Sequence, residues 1–262
     1  MTPYELRQQI RKGEFTVPTS GYCAGYTQVN IIIMPARYGD DFKKFCELNS
    51  QACPLLDVTA PGDPIFRSLG KDVDVRTDVP SYNIYHDGVL HSHAPDITQL
   101  WQDDYMAFAL GCSHSFEDLL VAEGMSLRHI ERSHVVPAFV TSVKNVPVGP
   151  FGGNLVVSMR PFPAKQAIAA IQITGKLPQV HGAPIHMGDA GELGIADMES
   201  PDWGKGVGVT DKEIPLFWAC GVTPQEALKA AGIPVYIGHT PGHMLVTDIT
   251  TAQLKDGSYK VA

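Results

Sequence analysis

Apolar positions in this chain come in short runs, each closed by glycine, proline or a small polar residue. Val29–Met34 and Leu55–Val58 are two such runs near the N-terminal end, and Ile214–Ala219 and Ile233–Ile237 are two more near the C-terminal end. Short apolar runs bounded by turn residues predict buried strands. Between the first pair, Asp40–Asn49 places Phe42, Phe45 and Cys46 on one helical face, with acids at its favourable N-terminus. Between the second pair, Thr223 stands where a helix N-cap belongs, Pro224 follows at the first helical position and Glu226 lies three residues after Thr223. Gly232 then supplies a C-terminal stop and Pro234 blocks continuation. Each end of the chain thus predicts a strand–helix–strand unit, built as a right-handed parallel crossover. In that arrangement Cys220-Gly221 and Gly238-His239 emerge at one carboxyl edge, with Arg37 beside them. Open α/β sheets bind ligands at that edge.

The rest of the chain is punctuated in the same way. Thr2–Lys12 reads as an amphipathic helix capped by Thr2, started by Pro3 and stopped by Gly13. Tyr82–His86 and Val89–His91 flank Asp87-Gly88, a hairpin signal. Thr98–Leu110 spaces Leu100, Trp101, Tyr105 and Phe108 as a helical face, and a further helix starts at Ser115, with Asp118 three residues on, and ends at Gly124. His134–Val143 and Asn154–Met159 predict strands, and Pro163–Thr174 a helix. The expected fold is α/β: a discontinuous core with a parallel or mixed sheet built from both chain ends (residues 1–112 and 180–262), plus a smaller inserted α+β domain (residues 113–179). His181 to Thr210 is rich in Gly, Asp and Pro and long for a plain connection, which marks it as a functional segment.

Composition narrows the class of function. A net charge of −8 and the lack of a Lys/Arg block give no reason to expect nucleic acid. Five cysteines without a CxxC pair argue against a disulfide scaffold or a Cys-rich zinc site and fit a reducing cytoplasm. The N-terminal MTPYELRQQIRKGEF carries charges where a signal peptide needs apolar residues, and no apolar run is long enough to span a membrane. There is no Walker loop, no G-x-G-x-x-G between strand and helix and no GxSxG elbow, so neither a nucleotide cofactor nor a serine triad is expected. The expected partner is a small amino or carboxylic acid; assembly of identical chains is left open.

The candidate chemistry lies at the ends of the predicted elements. Cys112 precedes a helix N-terminus, which favours an anion and lowers a thiol pKa; a small buried residue at a tight junction is its alternative reading. Cys220 has the same two readings. Ser113 and Gly221 offer backbone N–H groups for an oxyanion or carboxylate. His239 is the acid/base candidate, with Asp248 as its orienting partner. Arg160, at the end of VVSMRPF, and Arg37 each either reach solvent or fork onto a substrate carboxylate. His181 opens the Gly-rich segment and is a further substrate-binding candidate. The close pairs His91/His93, His181/His186 and His239/His243 do not complete a metal motif, because the last spans Thr-Pro-Gly and no Cys or Glu is suitably spaced. No metal is expected.

Seven segments together, AGYTQVN, CPLLDVT, GCSHSFE, VVSMRP, HGAPIHMGD, PLFWACGVTPQ and HTPGHMLVTD, resemble the signature segments of the bacterial "putative hydro-lyase" family, also called the D-glutamate cyclase family. The resemblance runs from about Ala24 to Asp248. His114 departs from it, since many relatives are expected to carry an aromatic or apolar residue there. The resemblance implies a two-part α/β architecture and a carbon–oxygen lyase, with D-glutamate converted to 5-oxo-D-proline and water in the cyclase members. Two other functions are weighed against it: a cysteine-dependent racemase or amidohydrolase using Cys112 or Cys220, and a non-catalytic carboxylate-binding module.

Overall fold

The computed structural model describes residues 1–259. Its strands are β1 (Tyr26–Pro35), β2 (Leu55–Val58), β3 (Ile65–Phe66), β4 (Val73–Asp74), β5 (Tyr82–His86), β6 (Val89–Ala94), β7 (Tyr105–Gly111), β8 (Ala138–Lys144), β9 (Asn154–Pro163), β10 (His186–Met187), β11 (Glu213–Ala219), β12 (Val235–His239) and β13 (Leu245–Thr250). Its helices are α1 (Pro3–Arg11), α2 (Gly39–Leu48), α3 (His114–Ala122), α4 (Arg128–Glu131), α5 (Ala164–Thr174), α6 (Thr223–Ala230) and α7 (Thr251–Asp256).

A seven-stranded sheet runs in the order β2-β7-β1-β12-β5-β6, with β13 also paired to β1. Its axis is β1, a strand rich in β-branched residues and buried almost throughout. On one side β7 pairs with β1 from Val29 to Pro35. On the other side β12 takes Ile32 and Ile33, and β13 takes the stretch from Tyr26 to Val29. Strand alternation sends Val29, Ile31 and Ile33 into one core with Phe116, Leu120, Phe162 and Trp218. Ile32 and Met34 enter the other, with Phe42, Phe45 and Phe108. Each of these large apolar side chains contributes roughly 1.5–3 kcal/mol by leaving water. Asn30 is the polar interruption on the Ile32/Met34 face. A four-stranded sheet, β10-β11-β9-β8, abuts this core and draws strands from both sides of residue 180.

The α/β class and the core built from both chain ends are as expected. The strand directions differ: all pairings among the described residues are antiparallel. The expected parallel crossover of β11, α6 and β12 is not formed, because β11 pairs with β9 and β10 while β12 pairs with β1 and β5. Local turn signals set the elements without choosing their partners. The helix expected over Thr98–Leu110 is instead a short turn followed by β7; this strand is buried on both faces, so it lacks the period-two pattern that would have marked it. Two predicted caps also differ. Thr223 turns its hydroxyl to β9, accepting from Val156 N at 3.0 Å, and Ser115 accepts from Gln28 N at 3.0 Å. Local punctuation holds elsewhere. Thr2 and Glu5 form a reciprocal cap on α1, and Asp87 and Gly88 take positive φ at the β5–β6 turn.

Candidate functional site

Three chain reversals meet beside Asn30. β12 leaves the flank of β1 after His239, and β13 takes over at Leu245 opposite Val29, so the turn Thr240–Met244 leaves a gap along β1. β7 ends at Gly111 opposite Val29, and Cys112-Ser113 leads into α3. From the smaller sheet, β11 ends at Ala219, and Cys220-Gly221 leads towards α6. Two glycines allow this convergence. A Cβ on Gly111 would lie 1.8 Å from the Gln179 carbonyl oxygen, and one on Gly221 would lie 2.5 Å from Asn30 Nδ2.

Asn30, Cys112, Ser113, Cys220, Gly221 and His239 line a cavity of about 130 Å³, which Trp203 and Met244 help to close. A cavity of about 150 Å³ holds a benzene-sized molecule, so this one suits a small metabolite. A second cavity of about 370 Å³ adjoins it, sharing His114, Val135, Pro241 and Gly242.

His239 is buried. Its Nδ1 lies 2.9 Å from the Thr240 carbonyl oxygen, and its Nε2 lies 3.0 Å from Asn30 Oδ1, whose amide nitrogen donates to the Gly111 carbonyl at 3.2 Å. Burial pushes the imidazole down to about 4, so it is neutral at pH 7. The neutral ring carries one proton, so one of its two nitrogens donates and the other presents its lone pair to an oxygen. A second proton would turn that contact into a hydrogen bond, but burial, the larger effect, disfavours the cation.

Both thiols are buried and protonated. Burial pushes Cys112 up to about 12, against the backbone N–H of His114, which pulls it down. Burial raises Cys220 in the same way, against the backbone N–H of Val222. The helix starts are therefore present as expected, but desolvation outweighs them.

Behind Ser113 lies a buried charge cluster that sequence reasoning missed. Arg160 donates from Nε to Glu117 Oε1 at 2.9 Å, from Nη1 to Ser158 Oγ at 3.0 Å and from Nη2 to Ser113 Oγ at 3.2 Å, and a further N–H goes to Glu117. Its guanidinium packs over Phe116 and Trp218. His114 Nδ1 and His129 Nε2 stand 3.1 and 3.0 Å from the Glu117 carboxylate. Burial alone would raise the Glu117 carboxyl, but Arg160, His114 and His129 hold it well below the usual carboxylate range. Arg160 thus holds Glu117, Ser158 and Ser113 together. The substrate-carboxylate fork expected of it is corrected: the side chain is buried, and four of its five N–H donors are held by Glu117, Ser158 and Ser113. Ser113 Oγ accepts from that cation, and Ser113 itself lines the cavity.

Five expected residues therefore come together: Cys112, Ser113, Cys220, Gly221 and His239. Three do not. Arg37 sits past the far end of β1, over the Tyr38 ring, because antiparallel pairing sets the ends of β1 and β12 at opposite edges. His181 is fully buried, holds the Gln51 carbonyl at 2.9 Å and lines a different cavity. Asp248 pairs with Arg7 at 3.0 Å and accepts from Lys71 N at 2.7 Å instead of orienting His239. Asn30, Glu117 and His129 are the additions. Glu117 could have been found: Ser113, Glu117 and Leu120 follow the i, i+4, i+7 spacing of one helical face, and Leu120 marks that face as buried. The long Gly-rich segment contributes Trp203, which bridges to Ala138.

Among the described residues, no group of three or more His, Cys, Asp or Glu is placed to hold a metal ion, and no helix is long and apolar enough to cross a membrane.

The D-glutamate cyclase profile matches residues 106–248, a stretch that includes both thiols, Ser113, Glu117, Arg160 and His239. A protein from Burkholderia multivorans named "putative hydro-lyase" is 54% identical over 254 residues, covering 97% of this chain and 98% of its own. One of the same name from Paraburkholderia phytofirmans is 52% identical over 253 residues, with 97% and 98% covered. Among solved structures, a nitrogen repressor-like protein from Methanococcus jannaschii aligns with 90% of this chain and 91% of its own at 9% identity and a TM-score of 0.38. On the profile and the full-length relatives together, the chain belongs to the D-glutamate cyclase family.

Proposed function

We propose that the protein is a cofactor-independent hydro-lyase acting on a small amino or carboxylic acid, with D-glutamate, cyclised to 5-oxo-D-proline, as the substrate to test first. The observation that carries this reading is the convergence of Ser113, His239 and the two thiols on one small cavity inside the segment that the family profile matches. Family membership and the names of the relatives supply the reaction class.

The chemistry asks for few groups. Lactam closure joins the amine nitrogen to the γ-carboxyl carbon and releases one carboxyl oxygen as water. A folded substrate raises the local concentration of its own nucleophile, so confinement itself accelerates the step. His239 Nε2 takes a proton from the amine. The Ser113 hydroxyl, polarised by Arg160, donates to a substrate carboxylate. A protonated thiol, Cys112 or Cys220, donates to the departing oxygen. The substrate and water account for every atom.

The test is direct. Chelator-treated protein is incubated with D-glutamate, L-glutamate and 2-hydroxyglutarate, and the products are weighed by mass spectrometry. A product lighter by one water is expected. His239→Gln should lower its rate by about 10²-fold or more, the usual worth of a positioned general base. Full activity in His239→Gln would remove His239 from the mechanism, and no dehydrated product from any of the three acids would refute the reading.

A further inference from the structure

Cys112 and Cys220 stand in equivalent local settings. Each directly follows a strand, β7 for Cys112 and β11 for Cys220, and each shortly precedes a helix, α3 and α6. Each has the backbone N–H of the residue two positions on beside its sulfur, from His114 and Val222. The strands belong to different sheets. Cys112 is tied to the larger sheet through its N–H to the Gln28 carbonyl at 3.2 Å, and Cys220 to the smaller through its N–H to the Val156 carbonyl at 2.9 Å. Both are buried and both line the same 130 Å³ cavity. Dehydration needs one proton donor, so the second thiol is unexplained by it.

We propose that the two thiols form an acid–base pair for 1,1-proton transfer, giving the protein a racemase activity on small α-amino or α-hydroxy acids.

The step balances without a co-reactant. Both thiols rest protonated; one first releases its proton to water and enters the step as thiolate, and the other enters as thiol. The thiolate takes the Cα proton, and the electron pair of the broken C–H bond moves into the adjoining carboxylate. The Ser113 O–H, polarised by Arg160, donates to that carboxylate as its charge rises. The second thiol then gives its proton to the opposite face of Cα, and the pair moves back to form the new C–H bond. The product is the enantiomer, and the two sulfurs have exchanged states. Proton exchange with water resets them. A thiol made weakly acidic by burial is a correspondingly strong base once ionised, as removal of a Cα proton requires. The cavity takes only a small acid, which sets the substrate class.

The choice of probes rests on the hydro-lyase reading, whereas the activity does not, and the readouts are separate: dehydration lowers the mass by one water, and proton transfer in D₂O raises it by one. The unaltered protein is incubated in D₂O with the separate enantiomers of glutamate, 5-oxoproline and 2-hydroxyglutarate, and the Cα–H signal is followed by NMR together with chiral chromatography. Loss of that signal with appearance of the other enantiomer is expected for at least one acid. Cys112→Ser and Cys220→Ser should each lower racemisation by about 10²-fold or more. Each should retain exchange from one enantiomer only, and the favoured enantiomer should be opposite in the two variants. A merely structural cysteine would not produce that reciprocal pattern, and thermal melts verify that both variants fold. Absence of Cα–H exchange for all six compounds overturns the proposal, as does exchange that survives in the Cys112→Ser/Cys220→Ser double variant.

Discussion

Two histidines are kept neutral by burial, and this has a measurable cost. His239 and His181 are both pushed down to about 4 in the folded chain, whereas an unfolded chain protonates histidine near 6.5. Their folded values are depressed, so the unfolded state binds more protons between those limits. Stability is fully present above pH 6.5 and is lost as the pH falls towards 4, at up to about 1.4 kcal/mol per pH unit for each residue. Urea midpoints should therefore drop between pH 6 and pH 5, before most carboxylates titrate. His239→Gln should remove part of that dependence, with His181 and the buried His129, which burial also lowers, carrying the rest. A midpoint independent of pH across this window would show that neither ring is held neutral. The same reasoning bears on the thiols, since burial that silences an imidazole's charge also keeps Cys112 and Cys220 protonated.

At the level of elements, the Arg160–Glu117 pair pins α3 to β9 and so fixes where Ser113 stands. Both side chains are almost completely buried. Removing one partner leaves the other charge stranded, at a cost of about 3–5 kcal/mol, whereas removing both leaves a polar gap that apolar atoms can fill. Arg160→Met and Glu117→Gln should each destabilise by that amount, and the double variant by clearly less than the sum. A double-mutant cycle in urea that came out additive would mean the two side chains do not sense each other. This pair also shows what a sequence withholds. Caps and turns at Thr2, Asp87-Gly88 and Gly232 were legible because each depends on its immediate neighbours. Cys112, Ser113, Cys220, Gly221 and His239 were legible as element ends for the same reason. The parallel crossover expected to bring Cys220-Gly221 to His239 is not formed, and nothing local placed Cys112 and Ser113 beside them; all five meet because two antiparallel sheets end beside Asn30. Partner choice between strands is non-local, and so Arg37 was put at the wrong edge and Asp248 was given to His239. Glu117 went unread because a charge on a helix ordinarily points to water, and its burial is made tolerable by Arg160, 43 residues away, together with His114 and His129.

Across the whole molecule, the chain ends are joined by charge as well as by strand pairing. α1 lies on β13 through Leu6, Ile10 and Val246. Arg7, fully buried, donates to the Val246 and Lys71 carbonyls and forks onto Asp248 at 3.0 and 3.1 Å, with Asp78 3.7 Å from its Nε. Asp248 therefore connects α1, the Lys71 turn and β13, the strand that follows the His239–Met244 turn. This assigns it to stability, and the assignment separates cleanly from a catalytic one. Asp248→Asn keeps the shape and one acceptor but leaves Arg7 with less compensation. Because Asp248 is 32% exposed and Asp78 remains, the loss is smaller than for a sealed pair, about 2 kcal/mol. For a chain of this size that corresponds to a Tm lower by roughly 4–8 °C. Below the transition the cavity residues are untouched, so turnover of whichever acid the protein accepts should match the unaltered enzyme at 20 °C. Loss of turnover without loss of Tm would return Asp248 to the acid–base machinery. A lower Tm with full turnover would establish it as the clasp between the two ends of the chain.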